Sequence, residues 1–212
     1  MTKPTTPESM CEMTMAEALR DAMRLAMLAD PNVFLLGEDI GVEGGFGGGF
    51  TVTLGLADEF GHQRVMDTPI SEAAIIGAAV GAAMVGMRPV AEMQYGDFVF
   101  GGMDQVVNQA AKMHYMSNGQ VSVPLVLRLP VGATRRGAQH AQSTESYWMH
   151  TPGLKVVCPS NPYDAKGLLY AAIWDQNPVV FLEHKLLYGG KGGRKEKTSL
   201  DPIMQVPEEA YE

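Results

Sequence analysis

The 212-residue sequence predicts an α/β fold in three layers: a mostly parallel sheet with helices on both faces. Two observations carry this. Short apolar or β-branched runs of strand length alternate with longer runs of helical spacing, and each intervening run is long enough for a crossover helix. The composition, 46% apolar and 19% charged, also suffices for a core of that kind.

The elements follow in order. Thr14-Met15-Ala16-Glu17 has the form of a capping box, and residues 18–29 carry helical apolar spacing until Asp30-Pro31 stops them. Residues 33–36 are a short apolar strand. Residues 41–50 hold six glycines, Gly41, Gly44, Gly45, Gly47, Gly48 and Gly49. They lack the Gly-Lys-Ser/Thr ending of a phosphate loop, and a mobile surface loop is the better reading. Helices are expected over 51–60, 73–86, 103–116 and 162–175, the last with Pro162 in its first turn. Strands are expected over 63–66, 89–93, 124–129, 155–158 and 179–183, and a long loop over 130–143. Residues 1–13 read as a flexible tail, 14–188 as the domain, and 189–212 as a linker-like tail without helix or strand pattern.

The net charge of −8 speaks against nucleic acid or anionic membrane as partners. Arg135-Arg136 is an isolated pair, and Lys191, Arg194, Lys195 and Lys197 lie in a glycine-rich stretch. Two cysteines, Cys11 and Cys158, are too few for a disulfide framework and suit a reduced, cytoplasmic setting. Residues 1–13 have no apolar run of the secretory kind, and 73–87 are too short and glycine-rich to span a membrane.

One position stands out chemically. In Asp67-Thr68-Pro69-Ile70-Ser71-Glu72, Ser71 reads as the N-cap of a helix of small apolar residues, and Glu72 is its one carboxylate, with no other charge until Arg88. Such an acid either complements the helix dipole or works as an acid/base in an apolar site. Phe98, in Gln94-Tyr95-Gly96-Asp97-Phe98, is a core aromatic or a stacking platform. His140 lies in the polar loop Gly137-Ala138-Gln139-His140-Ala141-Gln142-Ser143 and is either solvated or a general acid. His62 and His114 read as structural, and no spacing of His, Cys and acids suggests zinc. Because the 73–86 helix has no polar face, it must be covered on every side, and the chain is expected to associate with a partner.

Several motifs tie these residues together. Asp67-Thr68-Pro69-Ile70-Ser71-Glu72, Gly86-Met87-Arg88-Pro89-Val90, residues 104–112, Gln139-His140 and Pro152-Gly153-Leu154-Lys155-Val156-Val157 occur in order. Together they resemble the beta subunit of the thiamine-diphosphate-dependent decarboxylating component of 2-oxo acid dehydrogenase complexes. The resemblance covers nearly all of residues 14–188.

It implies the pyrimidine domain of the thiamine-diphosphate-binding fold. Ile70, Glu72 and Phe98 would contact the cofactor's pyrimidine, with Glu72 exchanging a proton with it and His140 facing the reacting carbon. In some members potassium is held by main-chain carbonyls at positions matching Val123, Leu125, Ala172, Asp175 and Asn177. The diphosphate and its magnesium are held by the alpha subunit. Its Gly-Asp-Gly…Asn motif is missing here, so this chain would not turn over alone. A second beta chain and a lipoyl acyltransferase component are the other implied partners. The family's C-terminal domain would follow the linker and is absent from this sequence.

Residues 157–169 and 183–188 tilt toward acetoin-cleaving members, with pyruvate and branched-chain 2-oxo acids open. A split transketolase-like subunit is the alternative enzyme, with Arg135 and Arg136 as its candidate phosphate ligands. A non-catalytic assembly domain is the alternative from another class.

Overall fold

The structure is a computed structural model and describes residues 9–188 and 202–210. Six parallel strands form the central sheet: β2 (Val33–Gly37), β3 (Val65–Asp67), β4 (Arg88–Glu92), β5 (Val126–Val131), β6 (Lys155–Val157) and β7 (Val179–His184). Their order is β3-β2-β4-β5-β7-β6. Successive residues of each strand feed opposite cores, as the period of two requires. Val33, Leu35, Val90, Val126, Val179 and Phe181 meet α1 (Met15–Ala29) and α6 (Pro162–Trp174). Phe34, Leu36, Ala91, Leu127, Val180 and Leu182 meet α3 (Glu72–Met84) and the helical stretch that follows β4. The expected three-layer α/β architecture is therefore present.

Local chemistry fixes several boundaries. The capping box at α1 is complete: Glu17 N donates to Thr14 Oγ1 at 3.3 Å, and Thr14 N donates to Glu17 Oε2 at 2.8 Å. At α6, Asp164 N donates to Asn161 Oδ1 at 2.9 Å, with Pro162 in the first turn. Arg88 Nη1 donates to the Ile173 carbonyl at 2.8 Å, tying the start of β4 to the last turn of α6.

The structure departs from the sequence reading in specific places. The helix expected over 51–60 is confined to α2 (Leu56–Phe60), because Thr51 and Gly55 take positive φ, +62° and +81°. Ser71 precedes α3, but its side chain makes no capping bond. The 103–116 helix starts earlier, with a 3₁₀ turn over Phe98–Gly102. It widens to π over Gln105–Ala110 before α4 (Ala111–Met116). The long loop contains a 3₁₀ turn at Ala138–His140, and α5 (Glu145–Met149) follows it unanticipated.

Met10–Thr14, assigned to the tail, is strand β1. It pairs antiparallel with β8 (Ile203–Pro207), which lies where no strand was expected. The glycine-rich 41–50 segment is only partly a surface loop, since Gly47 and Gly48 are buried. The linker over 189–201 lies outside the described residues. Helix α3 is not covered on every side within the chain: Ala74, Ala78, Gly81 and Val85 stay exposed. No helix among the described residues is long and apolar enough to cross a membrane.

Candidate active site

The sheet order reverses at β2: the chain steps outward to β3, then back across to β4. In open α/β sheets the crevice beyond the strand C-termini at such a point is the natural place for a ligand. Glu38 follows β2, Ile70 and Glu72 follow β3, Tyr95 to Phe98 follow β4, and His140 follows β5. Sequence-distant residues thus share one end of the sheet.

The turn from β3 into α3 is held by Thr68 N donating to the Gly37 carbonyl at 3.0 Å. It puts Glu72, half-buried, in the first helical turn and leaves Ile70 81% exposed, open to a ligand or partner. The 98–102 turn packs directly on Glu72. A Cβ added at Gly102 would lie 2.8 Å from the Glu72 carbonyl, so no larger residue fits there. One added at Gly101 would lie 3.6 Å from Glu72 Oε2. The Glu72 carboxylate makes no hydrogen bond or ion pair among the described residues. Phe98 and His140 are brought together, ring centroids 5.3 Å apart and nearly perpendicular.

Glu38 was not singled out by sequence and belongs to the same cluster. It is buried beside Glu72, Asp39 and Asp67. Burial, then the Glu72 charge, pushes its carboxyl above the usual carboxylate range. A carboxylate whose folded pKa is raised favours folding below its unfolded pKa, about 4.3, and opposes folding as pH rises through the folded value. Glu38→Gln is therefore expected to raise the melting temperature at pH 7 and to give no gain at pH 4. Thermal melts at the two pH values check this.

Beneath the site lies a buried charge network on adjacent strands. Arg128 Nε and Nη2 donate to Glu183 Oε1 and Oε2, both at 2.7 Å, and Nη1 donates to Glu92. Tyr188 Oη donates to Glu183 Oε2 at 2.6 Å. The two carboxylates hold the Arg128 guanidinium charged against the cost of burial, while burial pushes the Glu92 carboxyl up. Asp97 clamps the His140 loop: its Oδ1 accepts from Ala141 N at 3.2 Å, Gln142 N at 3.1 Å and Gln142 Nε2 at 3.0 Å.

The carbonyl set named for potassium lies at the other end of the sheet, where α6 ends and β5 begins. Leu125 O accepts from Val179 N at 2.8 Å, Ala172 O from Asp175 N at 3.3 Å, and Val123 O from Leu125 N at 2.8 Å. Arg88 Nη1 lies 3.3 Å from Asp175 O. Asn177 N and Nδ2 donate to Asp175 Oδ1 at 2.9 and 3.0 Å. Main-chain oxygens suit a hard cation in kind, and Arg88 already brings positive charge to one of them. No group of three or more His, Cys, Asp or Glu suited to a metal exists among the described residues.

The family described as transketolase, pyrimidine binding domain, matches residues 11–191. The 2-oxoisovalerate dehydrogenase subunit beta of Bacillus subtilis (strain 168) is 50% identical over 180 residues, 84% of this chain and 54% of that protein. The acetoin:2,6-dichlorophenolindophenol oxidoreductase subunit beta of the same organism is 48% identical over 210 residues, 93% and 57% of the two chains. The pyruvate dehydrogenase E1 component subunit beta of Rhizobium meliloti (strain 1021) is 50% identical over 181 residues, 85% and 39%. The chain thus spans about half the length of the curated relatives it matches. Among solved structures, a split gene transketolase described as an inactive beta4 tetramer shares the fold. Its TM-score is 0.65 at 18% identity, covering 84% of this chain and 53% of that one. A match across most of the length and a fold that agrees with it place the chain in the transketolase pyrimidine-binding domain family.

Proposed function

We propose that this chain supplies the pyrimidine half of a thiamine diphosphate site in the beta subunit of a 2-oxo acid or acetoin dehydrogenase first component. The observation that carries the reading is the Glu72 carboxylate. It is half-buried at the N-terminus of α3, has no hydrogen-bond partner among the described residues, and lies against the turn that bears Phe98. A polar group so placed suits a ligand that brings its own hydrogen-bonding edge, and the pyrimidine of thiamine is such a ligand. The approximately 50% identity to dehydrogenase beta subunits supports the same assignment.

Bound there, thiamine diphosphate would supply the carbanion-stabilising chemistry that decarboxylation or acetoin cleavage needs. The residues of this chain do the rest. Glu72 holds and returns a proton at the pyrimidine edge. Glu38 beside it places a second carboxyl within electrostatic reach. Phe98 offers a half-buried ring for stacking, worth about 1 kcal/mol beyond burial. His140, on a loop at the mouth of the crevice, delivers or removes a proton at the substrate. Ile70 meets the cofactor through its backbone.

Partners follow from what the chain leaves open. An alpha chain would bring the diphosphate and magnesium ligands that this sequence lacks. The exposed small-residue face of α3, through Ala74, Ala78, Gly81 and Val85, allows close approach of a second beta chain. A lipoyl acyltransferase would take the acyl product. Cys11 and Cys158 are both free thiols, in keeping with a cytoplasmic setting.

The test is co-expression with the cognate alpha chain, followed by assay against pyruvate, branched-chain 2-oxo acids and acetoin. Turnover with one of these supports the reading. Turnover of sugar phosphates instead would make it a split transketolase, and no turnover with any of them would refute it. In the active assembly, His140→Ala is expected to lower kcat about a hundredfold. Thiamine diphosphate affinity, measured by calorimetry, should hardly change. Lost affinity with normal chemistry in the bound complex would remove His140 from the reaction.

A further inference from the structure

We propose that Tyr95, held by Arg136, is the positioning residue that sets the His140 and Phe98 rings; this rests on the functional reading above. Tyr95 lies just beyond β4, and its place is fixed by the residue after it. Gly96 N donates to the Pro130 carbonyl at 2.8 Å, and a Cβ at Gly96 would come within 2.8 Å of Val131 Cγ1. The backbone at Tyr95 cannot swing without displacing the end of β5.

From this fixed point the half-buried Tyr95 ring meets His140 edge-on, centroids 4.8 Å apart at 87°, and Phe98 at 5.5 Å and 60°. Phe50 packs behind it at 5.6 Å, and Lys185 Nζ sits 5.4 Å from the ring centre. The phenol oxygen accepts a hydrogen bond from Arg136 Nη1 at 2.6 Å. That bond ties the ring to the loop that carries His140.

Arg136 belongs to the same loop as His140, four residues upstream. The loop is bent at Gly132 (φ +91°), Arg135 (φ +60°) and Gly137 (φ +103°). Gly132 N donates to the Gln142 carbonyl at 3.0 Å across its base, and further anchors come from other segments. Two of these anchors come from the segment Tyr95-Gly96-Asp97-Phe98. Tyr95 takes Arg136 on the upstream side of His140, and Asp97 takes Ala141 and Gln142 on the downstream side. The segment that carries the stacking ring thus also brackets the acid/base histidine. Moving the upstream anchor changes the His140 ring position relative to Phe98, and small misplacements of reacting groups cost large rate factors.

The experiment compares Tyr95→Phe, Arg136→Met and the double variant in the complete alpha–beta assembly, with nuclear magnetic resonance of the His140 ring protons in the 212-residue chain. Tyr95→Phe keeps the aromatic ring and loses only the oxygen that Arg136 holds. Each single variant should lower kcat about tenfold with thiamine diphosphate affinity unchanged. The loss in the double should be clearly smaller than the product of the two single losses, since both singles remove one shared bond. The His140 ring-proton signals, shifted by the facing aromatic rings, should move toward unpacked positions in all three.

Unchanged kcat in the singles, or losses that multiply in the double, would overturn the proposal. So would unmoved His140 signals, whatever the activity. An inert wild-type assembly whose His140 signals still respond to Arg136→Met would overturn the functional reading and keep the positioning.

Discussion

Glu72→Gln is expected to lower turnover of the assembled enzyme about a hundredfold to ten-thousandfold while the fold survives. Gln keeps the volume and the hydrogen-bonding reach of Glu and loses the proton that can be exchanged. The structure separates this loss from a folding defect. Glu72 makes no internal hydrogen bond or ion pair among the described residues. What folding loses is the attraction of its charge to the N-terminus of α3, about 0.3–1 kcal/mol. Against that, neutralising position 72 relieves repulsion on the buried Glu38. A melting temperature near that of the wild type and a collapsed kcat are expected together. The decisive measurement is hydrogen–deuterium exchange at the thiazolium carbon of bound thiamine diphosphate, and near-normal exchange in the variant would sink the assignment.

Arg128→Met is expected to be the most destabilising single change, costing about 3–5 kcal/mol in denaturant unfolding, or roughly 10 °C in melting temperature for a domain of this size. Met fills much of the same space, so the loss is electrostatic. It strands Glu92 and Glu183 in the interior, 4% and 0% exposed. The pH dependence has a definite sign. Without the guanidinium the Glu92 carboxyl, which burial already pushes up, would bind its proton more tightly in the folded than in the unfolded chain. The variant should then recover stability as pH falls toward 4 and lose it as pH rises. A deficit equal at pH 4 and pH 8 would show that packing, not stranded charge, is the cause.

Strands and crossover helices were legible because their physics is local. Val33–Gly37 and Val179–His184 are apolar runs that only a doubly covered sheet can bury. Thr14 and Glu17 announce α1 through a cap that needs four residues. Met10–Thr14 was not legible, because only one of its five residues is fully buried and its partner strand is nearly 200 residues away in sequence. Residues 51–55 read as helix because positive φ at Thr51 leaves no compositional mark.

In the site, Glu72, Phe98 and His140 could be named, but their convergence could not, since it depends on the order of β3, β4 and β5. Glu92, Arg128 and Glu183 did leave a signal that went unused. A charge inside a run such as Val126-Leu127-Arg128-Leu129 must be paired if the strand is central, and three such charges on neighbouring strands can pair only with one another. Glu38 and Tyr95 had no such mark; one owes its character to burial beside Glu72 and the other to its bond with Arg136, and both relations exist only after folding.

The β1–β8 ribbon sets an order of events for the chain. Its register joins Met10 to Pro207 and Thr14 to Ile203, so closing it encloses nearly everything else. Lys166, buried in α6, reaches the Pro207 carbonyl and Asp21 of α1, which ties the ribbon to elements that must already be assembled. The entropy of so long a closure is recovered only once the intervening sheet exists. The ribbon is then a late step in folding, and its amide protons should exchange by local opening long before those of the central strands. The strand that comes first in this sequence is, on this geometry, among the last to find its place.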